Sequence, residues 1–194
     1  MKGIAIFASG AGSNAEKIIE HFNRSGAGAK SKTAAIKLIV SNRPGAGVLK
    51  IADANYIPTL IVDKEKFLTG NGYVEELKTA GIDFIVLAGF LWKVPVSLIQ
   101  AFSKKIINIH PALLPNYGVK GMYGKYVHEA VLANKEKESG ISIHYVDEVY
   151  DHGDIIFQAR CAVVDNDTPE SLAHRVHLLE HEHYPKIIES ILLP

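Results

Sequence analysis

Apolar residues along this chain fall in short unbroken runs, and between the runs they recur at helical spacing. Runs of this length suit strands covered on both faces, and the amphipathic stretches suit helices packed over a largely parallel sheet. The strand candidates are residues 3–9, 35–41, 58–62, 83–89 and 105–110. Helices are predicted to begin near Asn14, Gly45, Tyr73 and Pro95, the last with its proline first, where the missing N–H does no harm. After His110 the texture changes. Residues 111–126 are rich in Pro, Gly and Tyr and read as a long ordered loop of the kind that carries function. A short helix follows from about Val127. Residues 140–148 and 154–164 then read as an antiparallel strand pair, and a long helix starts after an N-cap at Thr168, with Pro169 first and Ser171 early. Residues 23–32 read as a mobile loop, and no repeat or low-complexity segment is present.

The order of these elements predicts an α/β fold: a Rossmann-like, mostly parallel sheet flanked by helices, with an antiparallel strand pair near the C-terminus and a long final helix. A chain of 194 residues, 47% of them hydrophobic, can bury a substantial core as one domain. Lysine plus arginine equals aspartate plus glutamate at 21 each, so no global field argues for nucleic acid or a membrane surface, while a small anion could still bind locally. The single cysteine, Cys161, cannot form an internal disulfide and fits a reducing compartment. The opening apolar run is too short for a signal peptide, and none reaches spanning length, so a soluble cytoplasmic protein is expected.

Three segments carry candidate chemistry. Residues 8–14, ASGAGSN, join the first strand to the first helix, where backbone N–H groups and the helix dipole can hold a phosphate. Gly10 and Gly12 permit close approach, and Ser13 and Asn14 add donors and an N-cap. A dinucleotide is disfavoured, because position 15 is Ala15 and the second strand ends in Ser41 and Asn42 with no acid. The plainer reading is a connecting turn; phosphate binding is preferred to it. In the second segment, KIINIH, a strand would project Asn108 and His110 to one side, and Pro111 with Leu113-Leu114-Pro115 would stop the ladder and set the exit. An amide donor beside a titratable imidazole suits acyl transfer, although for the pair alone a buried histidine beside a structural asparagine is the plainer reading. The third segment, residues 147–156, places Asp151 in a tight loop from which its carboxylate could reach and orient the imidazole; by itself it is an ordinary turn aspartate. Residues 177–181, HLLEH, also match an inverted zinc-peptidase spacing, but with no clear third ligand no metal is expected.

Together with VLAGFLWKV (86–94), GISIHYVDEVYDHGDII (140–156) and EHEHYP (180–185), these segments resemble the folate-dependent formyltransferases over nearly the whole chain. The early Gly-Ser-Asn and late Glu-His-x-x-Tyr-Pro narrow the likeness to members that formylate glycinamide ribonucleotide in purine synthesis. The resemblance implies one formyltransferase domain over 1–194, with a phosphate-binding Rossmann-like half (1–105) and a catalytic and folate-binding half (106–194). It implies catalysis by Asn108, His110 and Asp151, with 10-formyltetrahydrofolate as co-substrate. Asn108 and protonated His110 would stabilise the oxyanion while Asp151 keeps the ring charged. It further implies ribonucleotide contacts from Gly12, Ser13, Asn14, His177 and Glu180. Folate contacts are implied for Leu91, Trp92, Lys93 and Val94, for Asn108, and for Asp147, Glu148, Val149, Tyr150 and Asp151. The implied partners are small molecules only. The chain departs from the family pattern at Gly70, where an arginine suited to the folate's glutamate tail is common, and in the loop 116–126. A formyltetrahydrofolate hydrolase and a non-catalytic phosphate-binding module are the alternatives; loss of activity with retained binding in a His110 variant would separate enzyme from module.

Overall fold

The central parallel strands divide their side chains between two apolar cores, which is why their sequences are mainly apolar. In β1 (Lys2–Phe7), Ile4 and Ile6 enter one core while Ala5 and Phe7 enter the other. The computed structural model describes residues 1–23 and 34–193. After β1 come α1 (Ser13–Asn23), β2 (Ala34–Ser41), α2 (Gly47–Ala54), β3 (Thr59–Ile61), α3 (Lys64–Thr69), α4 (Val74–Thr79), β4 (Phe84–Leu87) and α5 (Val96–Ala101). The second part holds β5 (Ile106–His110), α6 (Lys125–Ala133), β6 (Glu138–Tyr145), β7 (Ile155–Ala162) and α7 (Pro169–Leu192). One seven-stranded sheet runs in the order β3-β2-β1-β4-β5-β6-β7. Pairings are parallel from β3 to β5 and antiparallel for β5–β6 and β6–β7. The expected α/β architecture is therefore present, antiparallel pair and long final helix included. Among the described residues no helix is long and apolar enough to cross a membrane.

From β1 the chain winds outward through β2 to β3, then returns to β4 on the other side of β1. That reversal leaves a crevice beyond the carboxyl ends of β1 and β4, the usual ligand position in such sheets. Helix α7 closes one face, burying Leu172, Val176, Tyr184, Ile188 and Leu192. The fully buried Tyr184 donates its hydroxyl to the Leu87 carbonyl at 2.9 Å, with the Ile107 carbonyl 3.4 Å away, so the helix is tied to β4 and β5 one residue short of Asn108.

Local differences from the sequence reading have local causes. Helix α3 was not expected; it is six residues long with only Phe67 buried, too short to show periodicity, and Asp63 caps it by accepting from Lys66 N–H at 3.0 Å. Pro95 is the N-cap of α5 rather than its first residue, and α2 begins at Gly47 rather than near Gly45. The strand read as 140–148 is Glu138–Tyr145, since the chain turns away from the sheet after Tyr145. The Thr168 cap is present and reciprocal: Thr168 Oγ1 accepts from Ser171 N–H at 3.2 Å, and Ser171 Oγ accepts from Thr168 N–H at 2.9 Å. Of residues 23–32, Asn23 ends α1 and the rest lies outside the described residues.

Candidate functional site

The crevice is a cavity of about 800 Å³, within the usual range for small-molecule sites. Its walls are the loop Gly10–Asn14, the segment Leu87–Val94, the end of β5, the 119–124 stretch with His128, the β6–β7 connection, and His177 and Glu180 on α7.

At its centre stand the three residues singled out in the sequence. Asn108 and His110 alternate on β5 as expected. Asn108 Nδ2 donates to Asp151 Oδ1 at 3.2 Å, and His110 Nδ1 lies 3.5 Å from Asp151 Oδ2. Asp151 adopts a left-handed backbone, φ 49°, in the β6–β7 connection. Burial opposes ionisation of Asp151, but His144, His110 and Asn108 outweigh it and hold the carboxyl below its usual range. Both His110 nitrogens face acceptors: Nε2 lies 3.0 Å from the Tyr117 carbonyl, to which it donates, and Nδ1 faces Asp151. Only the imidazolium satisfies both. Yet His110 is 3% exposed, and burial pushes its pKa below the ordinary value; the Asp151 carboxylate opposes that fall without reversing it. Desolvation thus favours the neutral ring, against the Asp151 carboxylate, which favours the charged one.

The exit from β5 is held by more than its prolines. Ser142, opposite His110 in the β5–β6 register, donates to the Ala112 carbonyl at 2.7 Å and accepts from Leu114 N–H at 2.9 Å. Gln158 on β7 adds bonds to Ser142 Oγ at 2.8 Å and to the Leu114 carbonyl at 3.0 Å.

At one end of the cavity, Gly12 adopts φ +88°, and a Cβ there would meet Val48 at 2.8 Å, so glycine is required both by the turn and by the approach of α2. Ser13 and Asn14 lie inside the first turn of α1 rather than capping it. Asn14 Nδ2 donates to Glu180 Oε2 at 2.8 Å, joining α1 to α7, while its buried Oδ1 has no partner. Burial raises the Glu180 pKa against the Asn14 donor and the charge of His177, whose Nε2 is 3.9 Å away. All five residues expected to hold the ribonucleotide line this end. Among the described residues no three His, Cys, Asp or Glu converge as a metal-binding group, and the Glu180 of the HLLEH segment is engaged by Asn14.

The opposite wall is apolar. Phe90, Leu91, Trp92, Val94, Val146, Val149 and Tyr150 line it, with Lys93 and Asp147. Leu91 N–H donates to Ser9 Oγ at 2.9 Å, tying this wall to the glycine loop. Glu148 alone among the expected folate contacts is exposed and off the cavity wall. Asp147 serves its own turn, accepting from Val149 N–H and His152 Nδ1, each at 2.8 Å.

Sequence reasoning missed two buried histidines. His144 pairs with Asn108 across β5 and β6; its Nδ1 donates to the Tyr145 carbonyl at 2.8 Å, and its Nε2 lies 3.2 Å from Asn108 Nδ2 and 3.4 Å from Asp151 Oδ1. His128 lines the cavity with its Nδ1 unpartnered, and burial, then His177 and His110, lower its pKa to about 4. The alternating strand ISIHYV contained His144, but only the register with β5 brings it to the site.

A family model described as formyl transferase matches residues 2–188. Phosphoribosylglycinamide formyltransferase of Bacillus subtilis is 35% identical over 99% of this chain and 95% of its own length. The chloroplastic phosphoribosylglycinamide formyltransferase of Arabidopsis thaliana is 44% identical over 98% of this chain. The chain spans 65% of that protein and 61% of the Vigna unguiculata one, less than two thirds of the plant relatives' length. The crystal structure of phosphoribosylglycinamide formyltransferase from Bacillus halodurans superposes with a TM-score of 0.86, at 35% identity, over 98% of this chain and 95% of that one.

Proposed function

The chain belongs to the formyl transferase family, and from that premise we propose that it transfers a formyl group from 10-formyltetrahydrofolate to the amine of glycinamide ribonucleotide, in purine synthesis. The observation that carries this reading is the convergence of Asn108, His110 and Asp151 in one cavity, between a glycine loop suited to phosphate and an apolar slot suited to a pterin. The 10-formyl group would sit at the centre, with its folate along Leu91–Val94 and the 146–151 segment. Gly12, Ser13 and Asn14 would hold the phosphate by backbone and side-chain donors, with His177 and Glu180 on the remainder of the ribonucleotide.

In the reaction, the amine attacks the formyl carbon and Asn108 donates to the developing oxyanion. Its present contacts to Asp151 and His144 are both 3.2 Å, at the long end of the hydrogen-bond range, so the amide is available to a stronger acceptor. His110 rests neutral with its hydrogen on Nε2. As the adduct forms, the proton lost from the amine goes to Nδ1, where Asp151 Oδ2 stabilises the imidazolium; the ring then returns a proton to the departing folate nitrogen. The resting neutrality of His110 makes it a competent base, and Asp151 makes the charged form accessible when needed.

The test follows folate release by absorbance, with and without the ribonucleotide, on the parent and on His110→Ala. Release that needs the ribonucleotide and is lost in the variant supports the reading. Release without it indicates a hydrolase, and no release from the parent with both substrates refutes formyl transfer.

A further inference from the structure

We propose that Tyr117 is a positioning residue of formyl transfer: its hydroxyl, clasped outside the cavity by Glu136 and Asn134, holds the main-chain carbonyl that keeps the His110 hydrogen on Nε2. The assignment rests on the formyl-transfer reading above. Two acceptors flank this ring, the Tyr117 carbonyl 3.0 Å from Nε2 and the Asp151 carboxylate 3.5 Å from Nδ1. A neutral imidazole has one hydrogen to give, and a carboxylate is the stronger acceptor. With that hydrogen on Nδ1 the ring would donate to Asp151 and keep no lone pair there for the amine's proton. A carbonyl fixed against Nε2 penalises this alternative, because its oxygen would then face a bare nitrogen lone pair. The penalty lasts only while the carbonyl cannot retreat.

The backbone around this carbonyl supplies little of that hold. Gly118 N–H, in the same peptide unit, reaches the Pro115 carbonyl at 3.4 Å, beyond the usual hydrogen-bond distance. Tyr117 itself has φ 60°, a left-handed conformation that costs a bulky residue free energy and persists where its surroundings enforce it. The side chain provides that enforcement. Its hydroxyl donates to Glu136 Oε1 and accepts from Asn134 Nδ2, both at 2.9 Å. Burial and Glu136 raise the pKa of this hydroxyl against the Asn134 donor, so it retains the hydrogen that Glu136 accepts. Both partners are fixed to α6: Asn134 is its C-cap, and Glu136 N–H donates to the Val131 carbonyl at 3.2 Å. Through them a loop peptide shares the rigidity of a helix end.

Neither Tyr117 nor its two partners lines the catalytic cavity; Tyr117 and Glu136 instead line a separate hollow of about 300 Å³. Removing the hydroxyl therefore takes no contact from either substrate, and its effect on the reaction runs through the His110 ring. Asp151, His144 and His128, the titratable groups around that ring, stay in place.

Nitrogen-15 NMR of the His110 ring, identified by the signals that His110→Ala loses, reads the tautomer without turnover at a pH of about 8, above the ordinary imidazole range. The parent should carry its hydrogen on Nε2. Tyr117→Phe should move it toward Nδ1 and lower kcat about tenfold, the size of one net hydrogen bond, with both KM values within about twofold of the parent's. Glu136→Leu should reproduce both effects, and Glu136→Gln, which keeps an acceptor for the hydroxyl, should restore most of the lost kcat. Tyr117→Phe combined with Glu136→Leu should cost little more than either alone. The assignment is overturned if the parent's hydrogen sits on Nδ1, if Tyr117→Phe leaves the tautomer unchanged, or if the loss appears in KM or in Tm without kcat. A parent that transfers no formyl group sinks the transfer reading and this role with it; a parent that does, while Tyr117→Phe matches its kcat, sinks Tyr117 alone.

Discussion

Replacing Asp151 by asparagine tests the division of labour in the cavity, because the change keeps the side chain's shape and removes its charge. In the parent, Asp151 Oδ2 stands 3.5 Å from His110 Nδ1, and only 14% of the Asp151 side chain is exposed. At an effective dielectric near 20, two unit charges at that distance attract by about 5 kcal/mol. Water at the cavity mouth and the residual dipole of the amide reduce the difference, and roughly half, about 2–3 kcal/mol, is what the variant should lose. At 1.4 kcal/mol per factor of ten, kcat should fall about 100-fold. The loss should lie in kcat rather than in either KM, because the imidazolium forms only along the reaction. Steady-state folate release with both substrates saturating measures this. The pairing also predicts non-additivity: with His110 already replaced by alanine, Asp151→Asn should cost much less than it does alone. A variant within about threefold of the parent, or a fully additive double variant, would refute the claim that the carboxylate acts through this ring.

Two further predictions concern stability. Burial raises the Glu180 pKa, so the folded chain holds that proton more tightly than the unfolded chain does, and stability should fall as pH rises from the ordinary carboxylate range through the raised value. Glu180→Gln keeps an acceptor for Asn14 and removes that dependence. Its Tm should match the parent's near pH 4 and exceed it by about 3 °C at pH 8, with the ribonucleotide's KM raised; a parent more stable than the variant at pH 8 contradicts this. Tyr184→Phe removes the buried hydroxyl from the Leu87 carbonyl and should cost about 1–2 kcal/mol, seen as a Tm lower by roughly 3–6 °C, with formyl transfer at 25 °C little changed. An unaltered Tm would mean that the tie between α7 and the sheet contributes nothing.

What sequence alone could reach was whatever depends on neighbours along the chain. The apolar runs reported strands covered on both faces, and the Thr168 cap was visible because its signal lies within four successive residues. The alternation that puts Asn108 and His110 on one side is a property of any strand. Helix α3 was missed because six residues with one buried phenylalanine carry no period. Asp151 was chosen for its motif, since nothing local distinguishes it from any turn aspartate.

Tertiary structure decided the rest. His144 enters the site because the β5–β6 register sets it opposite Asn108, and a slip of one residue would turn it to the other face. The Asn14–Glu180 bond spans 166 positions and exists only because α1 packs on α7. The resting charge of His110 likewise depends on burial from every side, which no adjacent residue reveals. Short-range rules set which side chains share a face, while long-range packing sets what that face meets and how much water remains, and the chemistry depends on both.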